Sequence, residues 1–216
     1  STLDRSSAAS DVYKRQILAH GELMRLNFGV FALHLTQMAM FVVIPSALIR
    51  FAQLPLAEHW KIYLPVVIAS FVLMLPPIFI GEKRGKSKQV FVAAIALLLL
   101  VQIGMWLALS QTQLHAAWLV GLLLAFFVAF NILEASQPSL VSRIAPPGSK
   151  GTALGVYNTL QALGLFCGGA LGGWLTQHVG GASVFVLGSA LCVVWLIIAA
   201  NMKNLPRRSQ AQAAVV

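Results

Sequence analysis

Residues 89–109 read QVFVAAIALLLLVQIGMWLAL and contain no charged side chain. A helix of this length rises about 30 Å, which matches the hydrocarbon core of a bilayer. Because no water is present there to bond to the backbone, a helix is the structure that satisfies every N–H and C=O group. The segment therefore predicts a transmembrane helix, and it places the chain in the all-α integral membrane class.

Five further apolar segments of similar length flank this one, at 27–49, 60–80, 116–137, 151–175 and 182–202. Apolar residues make up 58% of the chain and charged residues 10%, against about 45–50% and about 25% in soluble domains. The mean hydropathy of +0.82 agrees. We therefore predict a six-helix transmembrane bundle over residues 17–206.

The two ends of the chain differ from this bundle. Residues 1–16 (STLDRSSAASDVYKRQ) are polar and lack the apolar core of a signal peptide. They resemble a translated adaptor-like leader, which would make them non-native and would mean that the chain continues upstream of Ile17. The alternative is a disordered cytoplasmic tail. Residues 207–216 are predicted to form a cytoplasmic tail.

The positive charges predict the orientation in the membrane. One side would hold two basic residues, Arg50 and Lys61, and the other side would hold most of the rest: Lys14, Arg15, Arg25, Lys83, Arg84, Lys86, Lys88, Arg143, Lys150, Lys203, Arg207 and Arg208. Basic loops stay in the cytoplasm, so both termini are expected there. The opposite ends carry an aromatic belt, which supports the same topology: Trp60, Tyr63, Trp106, Trp118 and Trp174.

Several functional classes lack the residues that they require. The net charge of +9 lies in short clusters between apolar runs rather than in a basic stripe, so nucleic-acid binding is not expected. Cys167 and Cys192 lie in apolar segments without metal-binding spacing, and no phosphate-binding loop or nucleophile motif occurs. We expect no enzyme activity, no metal and no cofactor.

Glycines repeat every four residues in the fifth segment, at Gly164, Gly168 and Gly172, with Gly155 earlier on the segment. This spacing stacks them on one helix face and lets another backbone approach closely. The pattern predicts helix packing, or a face that slides against a moving helix.

Glu134 is the one acidic residue within the six segments. A charge at a helix centre costs about 2.5–3.5 kcal/mol on insertion scales, so it needs a partner or a function. If the helix ends near Gln137, Glu134 lies about 4.5 Å from that end, within reach of Arg143 and the 81–88 loop. Two interpretations stay open: a proton-coupling carboxylate, or an ion pair that closes the inner side.

Polar side chains also interrupt the first and fifth segments. His34 and Gln37 lie in the first, and Asn158 and Gln161 in the fifth. Such groups face a bundle interior, where they line a wet cavity or bond between helices. His34 is also a candidate for a proton relay, because histidine titrates near neutral pH.

The loop Gly81-Glu-Lys-Arg-Gly-Lys86 resembles the acidic–basic–x–Gly–basic cytoplasmic loop of major facilitator superfamily transporters. The stretch from Asn131 to Arg143 and the opening of the fifth segment, from Gly151 to Asn158, are similar to helices ten and eleven of bacterial members in the drug–proton and sugar-efflux branch. The resemblance covers residues 17–206, as helices seven to twelve. The loop departs from the family pattern at Ile78, where glycine is usual.

The resemblance implies one half of a transporter, built as inverted three-helix repeats. It implies that His34, Gln37, Asn158 and Gln161 touch the substrate, while Glu82, Lys83, Glu134 and Arg143 form a cytoplasmic gate. The expected function is proton-coupled efflux of a small molecule by alternating access, in a bacterial inner membrane and with a missing N-terminal half. The alternative is a complete six-helix scaffold, assembly factor or oligomeric channel.

Overall fold

The computed structural model describes residues 19–112 and 115–203. Six long helices follow one another: α1 (Gly21–Ala52), α2 (Trp60–Lys83), α3 (Ser87–Leu109), α4 (Ala116–Ile144), α5 (Lys150–His178) and α6 (Ala182–Ala200). A short 3-10 turn, Leu56–Glu58, precedes α2. The predicted leader 1–16 and tail 207–216 lie outside the described residues.

The all-α bundle predicted from the sequence is confirmed for the described part of the chain. Five of its helices are long and apolar enough to cross a membrane by length and composition; α5 is not among them. This helix carries the glycine repeat together with Asn158, Thr159 and Gln161, which lower its hydropathy. Its sequence suits a helix that packs against other helices more than one surrounded by lipid.

Helix α4 is longer than the sequence interpretation assumed. It continues through Pro138 to Ile144, where a helix end near Gln137 was expected. Proline removes one N–H, which here leaves the carbonyl of Glu134 without its helical donor, but the following turns still form. Pro45 lies in a corresponding place near the end of α1.

Helix α1 is the centre of the bundle. Much of its length is buried, including His34 and Asn27, and it packs most extensively against α5 and also against α6 and α4. Helix α3 packs between α4 and α6, and α2 packs mainly against α4. The apolar core therefore lies around α1 and along the α3–α4–α6 contacts.

Basic side chains tie three helix ends together. Arg25 Nη1, near the start of α1, donates to the carbonyl oxygen of Asn201 at 2.7 Å, just after α6. Lys88 Nζ, at the start of α3, donates to the carbonyl oxygen of Ala200 at 3.0 Å. The start of α1, the start of α3 and the end of α6 therefore share one end of the bundle, which we call the basic end.

The glycine repeat of α5 forms its contact with α1. A Cβ atom added to Gly164 would lie 2.6 Å from the carbonyl oxygen of Phe31, and one on Gly172 would lie 2.8 Å from the Cα of Ala39. A Cβ atom on Gly168 would meet the carbonyl oxygen of Leu35. Gly155 differs from the prediction, because nothing lies within 4 Å of its position.

This packing predicts that Gly168→Ala destabilises the bundle. The added methyl group would overlap the α1 backbone, which has no flexible end to move away, and overpacking of this kind costs about 1–3 kcal/mol. The matched control is Gly173→Ala in the same helix, where a Cβ atom meets nothing within 4 Å. The apparent Tm for loss of helical circular dichroism in one detergent should fall for Gly168→Ala and not for the control. An equal effect of the two substitutions would contradict the contact.

Candidate functional site

Three polar side chains meet inside the bundle, each from a different helix. The Gln161 side-chain nitrogen of α5 lies 2.9 Å from Nε2 of His34 on α1 and 3.4 Å from Oε1 of Glu134 on α4. The second carboxylate oxygen, Oε2, lies 3.4 Å from the same His34 Nε2. We call these three residues the polar cluster. The structure thus brings together two residues predicted to line the cavity and one predicted to couple protons or to gate.

The proton on one nitrogen of His34 can be placed from its partners. Nδ1 lies 2.9 Å from the carbonyl oxygen of Val30, one turn earlier in α1. A carbonyl only accepts hydrogen bonds, so Nδ1 carries a hydrogen. With neutral imidazole, Nε2 is then free to accept from the Gln161 amide. The ring orientation of His34 is therefore held by α1 itself.

The Gln161 amide can serve two acceptors at once, because its nitrogen carries two hydrogens. One hydrogen points to His34 Nε2 and the other to the Glu134 carboxylate. The Gln161 amide therefore joins the other two side chains of the cluster.

All three residues lie at a similar depth from the basic end. Glu134 is ten residues before the end of α4 at Ile144, which is about 15 Å of helix. His34 is thirteen residues into α1 and Gln161 is eleven residues into α5, about 20 Å and about 17 Å. Half the thickness of a hydrocarbon core is about 15 Å. The cluster therefore lies near the middle of the predicted membrane-spanning region.

Exposure differs sharply within the cluster. The side chain of His34 is 4% exposed, whereas that of Glu134 is 36% exposed. The ring of Phe130 packs edge-on against His34, with centroids 5.7 Å apart. The carboxylate therefore lies at the edge of the bundle, with the imidazole behind it.

The other two predicted cavity residues form no hydrogen bond with the polar cluster. Asn158 is exposed on α5, one turn before Gln161, and Gln37 is half-buried on α1. Tyr157, which the sequence analysis did not select, is buried one turn before Gln161, and its hydroxyl has no partner among the described residues. The sequence could have indicated Tyr157, because it lies four residues before Gln161 and therefore on the same face of α5.

A second polar contact lies at the basic end. Arg143 Nη2, near the end of α4, lies 2.9 Å from Oε1 of Glu82 near the end of α2. Arg143 also donates to Ser139 Oγ at 3.0 Å. Gly85 supplies the positive φ of 67° that the α2–α3 turn requires. The contact therefore joins α4 to the loop between α2 and α3.

This arrangement corrects the expected position of Glu134. The carboxylate contacts Gln161 and His34 rather than the 81–88 loop, because α4 does not end at Gln137 and about 13 Å of helix separates Glu134 from Arg143. Lys83 is exposed at the end of α2 and takes no part in the Arg143–Glu82 contact. The cluster and the Arg143–Glu82 pair are therefore two separate sites on one helix.

No group of three or more His, Cys, Asp or Glu side chains in residues 19–112 and 115–203 could hold a metal ion. Cys192 is buried and Cys167 half-buried, and both are free thiols.

Comparison with known proteins agrees with this architecture. The model of the Major Facilitator Superfamily matches residues 26–214. The chain is 44% identical over 204 residues to the inner membrane transport protein YajR of Escherichia coli (strain K12), which covers 94% of this chain and 44% of that protein. It is 28% identical over 181 residues to the multidrug resistance protein MdtH of Aeromonas salmonicida (strain A449), covering 84% of this chain and 42% of that one.

A third relative, an uncharacterized transporter of Buchnera aphidicola subsp. Baizongia pistaciae, is 27% identical over 191 residues, 88% of this chain and 47% of its own length. The chain thus spans less than half the length of these relatives. The described residues form a six-helix bundle, and five of its helices are apolar enough to span a membrane. The family model matches most of the chain, and these relatives are named as transporters. This chain belongs to the major facilitator superfamily of membrane transporters.

Proposed function

We propose that the chain is the C-terminal half of a secondary transporter that exports a small molecule in exchange for protons by alternating access. The observation that carries this proposal is the polar cluster, in which His34 and the Glu134 carboxylate lie 3.4 Å apart at mid-membrane depth. Ionisable groups there are costly and mark ion or substrate pathways. In this proposal Glu134 binds the transported proton and shares it with His34, whose Nε2 lies 3.4 Å from Oε2 of Glu134, while Gln161 holds the two side chains in place.

Two observations support the proposal that this chain is half of a transporter: the greater length of its relatives and the exposed polar residues of α5. The relatives are more than twice as long as the matched region. Helix α5 exposes Asn158 and Thr159 on a helix that is not apolar enough to count as a membrane span. Exposed polar groups at membrane depth need a water-filled cavity or a protein partner. A second six-helix bundle would supply both.

In this arrangement the substrate lies between the two halves. Gln37 and Asn158 would contact it, together with His34 and Gln161. Alternating access would be a rocking of this bundle against its partner around the cluster. Export is favoured over import by the name of one relative, a multidrug resistance protein. We further propose a bacterial inner membrane with both termini in the cytoplasm, which the basic loops and the name of another relative support.

The Arg143–Glu82 pair is proposed as the cytoplasmic gate. It joins the end of α4 to the α2–α3 turn at the basic end, with side-chain exposures of 15% and 35%. A partly exposed ion pair contributes little to stability, so it suits a contact that opens and closes during a transport cycle. Lys83 would add to the attraction for an acidic group of the missing half.

Transport should require a second half. The full chain in liposomes should show no compound-dependent proton movement, read with a trapped pH-sensitive dye and a panel of multidrug-efflux compounds. The same chain joined behind the N-terminal six helices of the E. coli relative should restore it. Flux by the chain alone would contradict the proposal of a half.

Proton coupling should depend on Glu134. In the joined protein, Glu134→Gln should abolish compound-dependent proton movement, because the amide cannot take up a proton near neutral pH. Glu58→Gln, which removes an exposed carboxylate of the turn before α2, is the matched control and should leave the signal unchanged. Coupled flux that survives Glu134→Gln would rule out this carboxylate as the proton site.

The gate predicts a measurable coupling between Arg143 and Glu82. A double-mutant cycle of Arg143→Gln and Glu82→Gln should give an interaction free energy of about 0.5–1 kcal/mol in the stability of the full chain. The control is the exposed Lys61–Glu58 pair, at 2.8 Å and with exposures of 51% and 44%, for which about 0.2–0.5 kcal/mol is expected. A zero coupling for the first pair would remove the basis for the gate.

A further inference from the structure

A groove runs between α2 and α3 near the basic end. Its walls are apolar and include Pro76, Pro77 and Ile80 from α2 and Ala93 from α3; Arg84 and Lys86 lie at its mouth. The basic residues belong to the turn between the helices, while the apolar ones lie three to seven residues inside them. A groove with charged residues at the membrane surface and apolar residues towards the membrane interior suits an amphipathic ligand.

We propose that this groove binds one anionic glycerophospholipid. Its acyl chain lies between α2 and α3, and its phosphate lies between the Arg84 guanidinium and the Lys86 ammonium. The site is separate from the polar cluster, and the proposal does not depend on transport.

The two cations at the groove form no ion pair with a described residue, whereas two other cations of the basic end are occupied. Arg25 binds Glu22 and the Asn201 carbonyl, and Lys88 binds the carbonyls of Ala200 and Met202. Arg84 and Lys86 are exposed, and no described residue forms an ion pair with either. Glu82, the carboxylate nearest in sequence, pairs with Arg143. Among residues 19–112 and 115–203, these two cations are thus left without an anionic partner.

The groove surface favours a lipid over a soluble anion. Phe79 and Ile80 are 67% and 51% exposed, which continues the apolar surface of α2 around the groove. A soluble phosphate would contact the two cations and leave the apolar walls uncovered, whereas an acyl chain covers them. A phosphate accepts strong charge-assisted hydrogen bonds from both Arg and Lys.

The charge balance favours an anionic headgroup over a zwitterionic one. Choline or ethanolamine would place a third positive charge beside Arg84 and Lys86, with no described carboxylate free to neutralise it. Phosphatidylglycerol brings one net negative charge and no cation. Each Lys or Arg near an anionic lipid surface contributes about a fivefold gain in affinity.

The test is a native mass spectrometry titration of the detergent-solubilised full chain with dioleoyl phosphatidylglycerol and with dioleoyl phosphatidylcholine. The chain should retain phosphatidylglycerol in preference, with one tight adduct. The double substitution Arg84→Gln/Lys86→Gln should weaken that adduct by about 25-fold. The double substitution Lys150→Gln/Lys203→Gln removes the same charge from exposed basic-end residues and should leave the tight adduct in place.

Two further measurements identify the source of the phosphate and separate binding from folding. Ala93→Phe fills the groove without changing the charge, so it should weaken lipid binding while helical circular dichroism stays unchanged. Glycerol phosphate, which has the headgroup chemistry but no acyl chain, should not displace the lipid at equal concentration. Full displacement by glycerol phosphate would mean a soluble-anion site, and unchanged lipid selectivity in Arg84→Gln/Lys86→Gln would overturn the proposal altogether.

Discussion

The close approach of α1 and α5 is the constraint on which the rest of this bundle depends. Gly164, Gly168 and Gly172 leave no side chain between the two backbones, so α5 lies directly on α1 over about two turns. The contact sets both the separation and the rotation of the two helices. It also fixes where the residues just before the glycines point, and Gln161 is one turn before the first of them.

The polar cluster is a consequence of that contact. Once α5 lies against α1, the Gln161 amide reaches His34, and α4 brings Glu134 to the same amide. The cluster is costly to bury, and the Gln161 amide offsets part of the desolvation of His34 and of Oε1 of Glu134. The other carboxylate oxygen, Oε2, is buried and has no hydrogen-bond partner among the described residues. Packing by glycine and hydrogen bonding by Gln161 therefore act together: the first makes the second possible.

Helix α4 carries two polar sites with different surroundings. Glu134 lies deep beside a histidine, while Arg143 lies at the basic end beside a carboxylate. Pro138 stands between them and leaves the Glu134 carbonyl without a helical donor, but it does not end the helix. At the basic end, Arg25, Lys88 and Arg143 bind protein groups, while Arg84 and Lys86 line the groove between α2 and α3.

The sequence by itself determined the class of this protein, because apolar runs of bilayer length and clustered basic residues follow from the solvents that the chain must meet. The glycine repeat predicted a packing face from helical spacing. Gly164, Gly168 and Gly172 lie against α1, whereas no described atom lies within 4 Å of a Cβ position at Gly155. The candidates His34, Gln161 and Glu134 were each selected because a polar group in an apolar run needs a partner. Only the tertiary structure decided that they are one another's partners, since the distance between helices and their rotation arise from packing between segments more than 25 residues apart. The sequence also put Arg143 within reach of Glu134, because the apolar segment was expected to end near Gln137, whereas α4 continues to Ile144.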